Sequence, residues 1–307
     1  MAPLSGRRRG GAIVWLFLAP AGLLYAFFFI YPTLDALRIS LYDWSGLNLA
    51  NARFIGLDNF VEAVDDRWVH IAIKNSFLIM TLGGALMLGL ALLFAAALTN
   101  KRLKARTFFR TVIFFPYLIS GVGVGLFWTF VLNPQFGILN GLLGSLGLER
   151  LQRAWLGEPQ TALGSVIFVT VWWGIGFYVL FLVSGIESIP NELFDAARVD
   201  GATEGQLFFR VTLPLLREFL SVAVVLWAIE ALRTFAVVLM LTGGGPGNRT
   251  QVLSTYMAKL AFNVPVGSGG QIFRFGYGTA IAVILFALVL LVSLGYFRLR
   301  AREALEF

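Results

Sequence analysis

The sequence contains no cysteine, which excludes disulfide bridges and thiolate metal sites and leaves the redox compartment unread. Histidine occurs once, as His70. Metal sites gather several ligands and a Ser-His-Asp triad needs a committed base, so one histidine supports neither. His70 instead reads as a wet residue where a loop enters a helix. The sequence offers no catalytic residue, metal-ligand set or cofactor motif. Charge is scarce as well. Only 13% of the 307 residues are Asp, Glu, Lys or Arg, 58% are hydrophobic, and the mean hydropathy is +0.80. That combination excludes the soluble globular class.

What is present is a set of long apolar runs. A hydrocarbon core about 30 Å thick takes roughly 20 apolar residues per helical crossing. Six runs approach that length, at 12–32, 77–98, 112–132, 162–186, 219–242 and 278–297. The first follows Arg7, Arg8 and Arg9 but is too long for a signal-peptide core, and no polar stretch with a small-residue cleavage site ends it. The runs predict an all-α, polytopic membrane protein with six transmembrane helices. Residues 1–70 would supply the first helix and an extracytoplasmic loop, and residues 71–307 a core domain with five transmembrane helices.

The net charge of +7 reports orientation rather than nucleic-acid binding. Most of the 24 Lys and Arg residues fall in the shorter connecting segments, at 7–9, 100–110, 187–217 and 298–302. Short cytoplasmic loops carry that excess. Both termini and the 187–217 segment are therefore expected in the cytoplasm of a multi-pass membrane protein.

The remaining connections face outward on this scheme. Residues 33–76, with "LYDWSGLNL" and "FIGLDNFVEAVDD", predict a short extracytoplasmic helix with an aromatic interfacial edge. "NPQFGILNGLLGSLGL", 133–148, is short and broken by glycine, and reads as re-entrant or interfacial. "TGGGPGNRT", 242–250, lacks the lysine of a phosphate-binding P-loop and reads as a tight turn ending a helix. Any ATP that drives this protein is hydrolysed on another chain.

One polar interruption, 187–217, separates two apolar runs and contains "DAARVDGATEGQLFFRVTLPLL". Pro190 suits a first helical turn, and Glu192 and Asp195 lie where the helix dipole favours anions. Leu193, Ala196 and Ala197 form a small-residue stripe. Gly201 stops the helix, because glycine enters left-handed geometry without steric cost. Thr203 and Gln206 form a capping-box pattern for a second helix, with Leu207, Phe208, Val211 and Leu215 on one side and Pro214 at the bend into the next span. A helix lying on lipid headgroups is rich in Lys and Arg. Here Glu187, Glu192, Asp195, Asp200 and Glu204 outnumber Arg198 and Arg210, which favours docking into a cytoplasmic protein.

The same segment resembles the EAA loop of binding-protein-dependent ABC importer permeases: Glu-Ala-Ala, three residues, Gly, nine residues, Ile, one residue, Leu-Pro. This chain presents Asp195, Ala196, Ala197, Gly201, Val211, Leu213 and Pro214 at those spacings, with Asp for Glu and Val for Ile. "IGLDNFVEAV", "FFPYLISGVGVGLFWTFVLNPQFGILN", "ESIPNELFDAARVDGA" and "LTGGGPGNRTQVLSTYMAKLAF" extend the resemblance over nearly the whole chain. They look like the carbohydrate branch, in particular its maltose-permease-like first subunit. The resemblance implies a bacterial or archaeal cytoplasmic-membrane complex. It would comprise this permease, a second homologous permease, two ATPase subunits gripping the loops and an extracytoplasmic solute-binding protein, with a carbohydrate as substrate.

Within lipid an ionisable side chain costs roughly 2.5–3.5 kcal/mol at a helix centre on insertion scales, and so faces protein or a watery path. Glu230 and Arg233 sit at i and i+3, where they can neutralise each other as a structural pair or line a pathway. The resemblance places a substrate-binding face on the helices flanking the loop. Thr170, Trp173, Gly174 and Phe177 lie before it; Trp227, Glu230, Ala231 and Thr234 lie after it, spaced as one helix face. Ordinary helix packing of the Trp and Gly residues remains the alternative. An ion-coupled secondary transporter is the rival function, and such transporters use broken spans and buried carboxylates, of which Glu230 is the only mid-span example. A membrane-embedded enzyme lacks the necessary residue clusters.

Overall fold

The computed structural model describes residues 9–100, 103–262 and 273–303. The chain begins with α1 (Arg9–Tyr25) and α2 (Tyr31–Ile39), joined by a π-helical turn at Ala26–Ile30. Among the described residues, none of Leu16–Ile39 is fully buried. The second of these helices, α2, packs against the last helix of the chain, and an open cleft lined by Phe28, Phe29, Ala282 and Phe286 lies beside that contact. A two-residue antiparallel strand pair, β1 (Tyr42–Asp43) with β2 (Arg53–Phe54), adds a small exception to the helical class. The short helix expected in this region is α3 (Asp58–Asp65).

The second span starts earlier than its apolar run. α4 (Arg67–Leu78), a π turn at Ile79–Gly83 and α5 (Gly84–Thr99) make one helix of 33 residues, not the segment 77–98. Asp66 is the cause: its Oδ1 accepts the Trp68 N–H at 2.7 Å and so satisfies an orphan donor at the helix start. His70 lies exposed in the first turns, its Nε2 2.6 Å from the Val64 carbonyl.

The third run is not one straight helix. α6 (Arg106–Phe114) runs into a 3₁₀ turn at Phe115–Leu118, and α7 (Gly121–Val131) leaves at 99° to it. Pro116 has no N–H to continue the helix. Ser120 is extended and accepts the Gly123 N–H at 3.2 Å, which opens a new helix. The short α8 (Ile138–Ser145) follows, then the uninterrupted α9 (Ala162–Glu187).

After α9 come α10 (Asn191–Val199), α11 (Glu204–Leu207), a π turn at Phe208–Thr212 and the single turn α12 (Leu213–Leu215). The fifth run is broken as well: α13 (Arg217–Leu232) and α14 (Ala236–Thr242) meet at 47°. α15 (Leu253–Phe262) and α16 (Phe275–Glu303) complete the described chain. Among the described residues, four helices are each long and apolar enough to cross a membrane; counting each bent pair as one span gives six.

Small residues bring the central helices together, as close packing in lipid requires. Ala91 and Ala95 of α5 are fully buried. A Cβ on Gly174 of α9 would lie 2.9 Å from Met87 Cε, and one on Gly176 would lie 2.4 Å from the Ile113 carbonyl oxygen. A second core joins α3 and α4 to α15 and α16. There Asp66 Oδ2 accepts the hydroxyls of Tyr256 and Tyr277, the latter at 2.8 Å. Both nitrogens of the Arg274 fork donate to Glu62. Those bonds outweigh burial and hold the guanidinium above its ordinary pKa.

Candidate functional site

Two places gather the residues singled out by the sequence. The first is the polar segment after α9. Pro190 is not inside the first turn of α10; it is the capping residue before Asn191. At the other end Asp200 closes the helix and Gly201 follows with φ +82°. The Gly201 N–H donates to Arg198 O at 3.0 Å and the Ala202 N–H to Ala197 O at 2.9 Å. Those two bonds make a Schellman motif, which depends on the left-handed glycine.

Thr203 then starts α11. Its hydroxyl accepts the Gln206 N–H at 3.4 Å, and Gln206 Oε1 accepts the Thr203 N–H at 2.8 Å. Thr203→Ala removes half of that reciprocal pair and should cost about 1 kcal/mol locally. Faster amide exchange over 204–207, with the rest of the chain unaffected, is the expected reading.

The π turn that follows changes which side chains face inward. Leu207, Thr212 and Leu216 are buried, whereas Leu215 is 49% exposed. The expected stripe of Leu207, Phe208, Val211 and Leu215 is therefore corrected: the extra residue in the π turn rotates everything after Phe208. Asp195, Ala196, Gly201 and Pro214 are exposed; Ala197, Val211 and Leu213 are half-buried. Val199 is 88% exposed and Phe209 67%. Asp195 pairs with Arg198 at 3.3 Å in the open, where such a pair contributes little. The segment thus presents uncovered apolar side chains on an acidic ground.

The second place lies on α9, α13 and the bend after α6. Five of the eight residues proposed there are packed into the bundle. The Thr170 hydroxyl donates to Val166 O at 2.8 Å, and Gly174 receives Met87. Trp227 is 2% exposed; its ring covers Gly83 and Gly84, and its Nε1 donates to Met80 O at 2.9 Å, inside the π turn. Ala231 is fully buried. Thr234 lies beyond the end of α13, off the expected helix face, and its hydroxyl donates to Glu230 O at 3.1 Å.

Trp173, Phe177 and Glu230 remain at the half-buried surface of the subunit. Trp173 Nε1 donates to Ile119 O at 2.9 Å, tying α9 to the 99° bend. Two residues without a sequence signal join them. Tyr117, from the 3₁₀ turn, stacks on Phe177 with ring centroids 5.4 Å apart and stands 6.3 Å from Trp173. The Tyr178 hydroxyl donates to Glu230 Oε2 at 3.1 Å, while Oε1 accepts no hydrogen bond within the described chain. No ion pair joins Glu230 to Arg233, because α13 ends at Leu232 and Arg233 is exposed beyond it. Three aromatic faces beside a carboxylate with one free oxygen can stack on apolar C–H faces and accept hydroxyl donors.

The sequence profile described as "Binding-protein-dependent transport system inner membrane component" matches residues 71–303. The chain belongs to that family. The probable ABC transporter permease protein YurN of Bacillus subtilis is 39% identical over 283 residues, covering 92% of this chain and 94% of the relative. The diacetylchitobiose uptake system permease protein NgcF of Streptomyces coelicolor is 34% identical, covering 91% and 80%. The trehalose/maltose transport system permease protein MalF of Thermococcus litoralis is 31% identical, covering 94% of each. A chain from the crystal structure of a bacterial alginate ABC transporter, in complex with an alginate pentasaccharide-bound periplasmic protein, superposes with a TM-score of 0.83. It covers 98% of both chains at 23% identity, a likeness of fold. As an inner membrane component of a transport system, this chain belongs with permeases rather than enzymes.

Proposed function

We propose that this chain is one permease subunit of an ABC importer for a saccharide, crossing the cytoplasmic membrane six times with both termini inside. The segment 187–217 docks to an ATPase subunit, a second homologous permease completes the pathway, and an extracytoplasmic binding protein delivers the solute. The observation that carries this reading is the Schellman-closed turn at Gly201, which holds two short helices outside the bundle with Val199 and Phe209 uncovered. Relatives named for diacetylchitobiose uptake and trehalose/maltose transport support a saccharide. Trp173, Phe177 and Glu230, joined by Tyr117 and Tyr178, are the side chains suited to receive it.

The mechanism is a population shift. Closure of the ATPase subunits on ATP favours an outward-facing arrangement, and hydrolysis restores the inward-facing one. The two broken spans would also suit an ion-coupled transporter, but membership of a binding-protein-dependent family favours the ATP-driven reading.

Purification through a tag on this chain should yield a second permease and two ATPase subunits. In proteoliposomes, saccharide uptake should require both ATP and the binding protein. Uptake driven by a sodium or proton gradient without ATP would overturn the proposal. In intact cells Thr203→Cys should resist a membrane-impermeant thiol reagent and Asp58→Cys should react; the reverse pattern would invert the topology.

A further inference from the structure

Between α8 and the first turns of α9 lies an open groove of about 390 Å³, lined chiefly by Leu132, Leu139, Trp155, Thr161, Gly164 and Phe168. Its hydroxyls are already engaged. Thr161 Oγ1 and Ser165 Oγ both donate to Trp155 O, at 3.0 and 3.2 Å, and Trp155 Nε1 donates to Asn140 Oδ1 at 2.8 Å. Among the described residues, Gln160 is the one lining side chain with a polar group and no hydrogen bond to the chain. The groove is therefore apolar in what it offers, and a saccharide would find few partners in it.

The segment 146–153, which leads into Trp155 of the groove wall and is tied to α8 by the Asn140 amide donating to Arg153 O at 3.0 Å, has a different character. Leu146, Leu148 and Leu151 are exposed. Arg150 and Arg153 stand among them, and neither forms an ion pair with any described acidic side chain. The nearby Glu158 is occupied, its Oε1 accepting the Ala154 N–H at 3.0 Å. Exposed leucines, a hydrogen-bonded tryptophan and unpaired arginines in one stretch are the composition of a membrane–water interface.

We propose that this groove holds an acyl chain of an anionic phospholipid whose phosphate is received by Arg150 and Arg153. In a membrane protein the solvent at such a surface is hydrocarbon, and an unfilled apolar groove forfeits the dispersion contacts of its walls. A chain from the bilayer restores them. Guanidinium groups bind phosphate through paired, charge-assisted hydrogen bonds. Two of them without an internal acid favour a net negative headgroup over a zwitterionic one, whose own ammonium would compete.

The test is native mass spectrometry of the intact complex, equilibrated with equal amounts of phosphatidylglycerol and phosphatidylethanolamine bearing the same acyl chains. The wild type should retain phosphatidylglycerol preferentially. A Cβ on Gly164 would meet no atom within 4 Å, so Gly164→Leu fills the groove without moving backbone. Phosphatidylglycerol occupancy should then fall about tenfold, the scale of roughly two acyl methylenes displaced from the groove. The double variant Arg150→Gln with Arg153→Gln should keep a bound lipid but lose the preference for phosphatidylglycerol. Unchanged phosphatidylglycerol in Gly164→Leu, or an unchanged preference in the arginine variant, would overturn the proposal. So would loss of the second permease from Gly164→Leu complexes, which would make the groove a protein interface.

Discussion

Gly201→Val is expected to lower transport about tenfold while leaving the amount of chain in the membrane unchanged. The residue adopts φ +82°, a conformation that a β-branched side chain takes only at a cost. Nothing lies within 4 Å of a Cβ built there, so the cost is one of backbone conformation and not of crowding. A left-handed residue costs about 1–2 kcal/mol for an ordinary side chain, and about 1.4 kcal/mol is a tenfold change in population. The population lost is that in which the Ala202–Ala197 bond closes α10 and sets its angle to α11.

Because space is open, Gly201→Asn makes the decisive comparison: asparagine tolerates the left-handed region and should transport at close to the wild-type rate. ATPase co-purified with Gly201→Val should fall in parallel with uptake. Normal uptake and normal ATPase recovery in Gly201→Val would remove the turn from the docking surface. A loss shared equally by the valine and asparagine variants would point to bulk at a protein contact instead of φ.

This turn was legible in the sequence because its chemistry is local. Gly201, Thr203 and Gln206 act on backbone groups within five residues of themselves, and spacing alone places them. The start of α4 was not legible, since polar residues ahead of the apolar run are held helical by the Asp66 cap and by the core shared with α15 and α16. Hydropathy is also blind to breaks in the backbone. Residues on both sides of Ser120 and of Arg233 are apolar, so each bent pair reads as a single run. The π turn at Phe208–Thr212 leaves no compositional trace, although it reverses the exposure expected of Leu215. Among the candidate solute residues, the sequence left packing and lining open. Long-range contacts divide them, placing Trp227 on Gly83 and Gly84 and leaving Trp173 and Phe177 at the surface.

That division gives the second large expected effect. Glu230→Gln should reduce uptake of the preferred saccharide tenfold or more per complex, with yield of the complex unchanged. The carboxylate has one oxygen committed to Tyr178 and one free of internal partners. A glutamine keeps the shape and an oxygen for the Tyr178 hydroxyl but loses the charge. A hydrogen bond to a charged group contributes roughly 1.5–3 kcal/mol, enough for a loss of that size. Trp173→Ala should act in the same direction by removing a stacking face, and it also frees the Ile119 carbonyl. Trp173→Phe keeps much of the face without the N–H and separates the two causes.

ATPase activity stimulated by the loaded binding protein should survive in Glu230→Gln, because the 187–217 segment is untouched. The competing reading is that Glu230 serves only to satisfy Tyr178, a fully buried phenol. In that case Glu230→Gln, which keeps an oxygen for the phenol, should transport normally per complex, whereas Glu230→Ala strands the hydroxyl and should be repaired by Tyr178→Phe, since removing both partners of a buried hydrogen bond costs less than removing one. If instead Glu230 receives the solute, adding Tyr178→Phe to Glu230→Gln frees the amide oxygen without restoring the charge, and the double variant remains as slow as Glu230→Gln. The measurement is yield of complex and uptake per purified complex for Glu230→Gln and Glu230→Ala, each with and without Tyr178→Phe. Normal uptake per complex in Glu230→Gln, with a reduced yield of Glu230→Ala repaired by adding Tyr178→Phe, would leave Glu230 as the structural partner of Tyr178 and take it out of the solute's path.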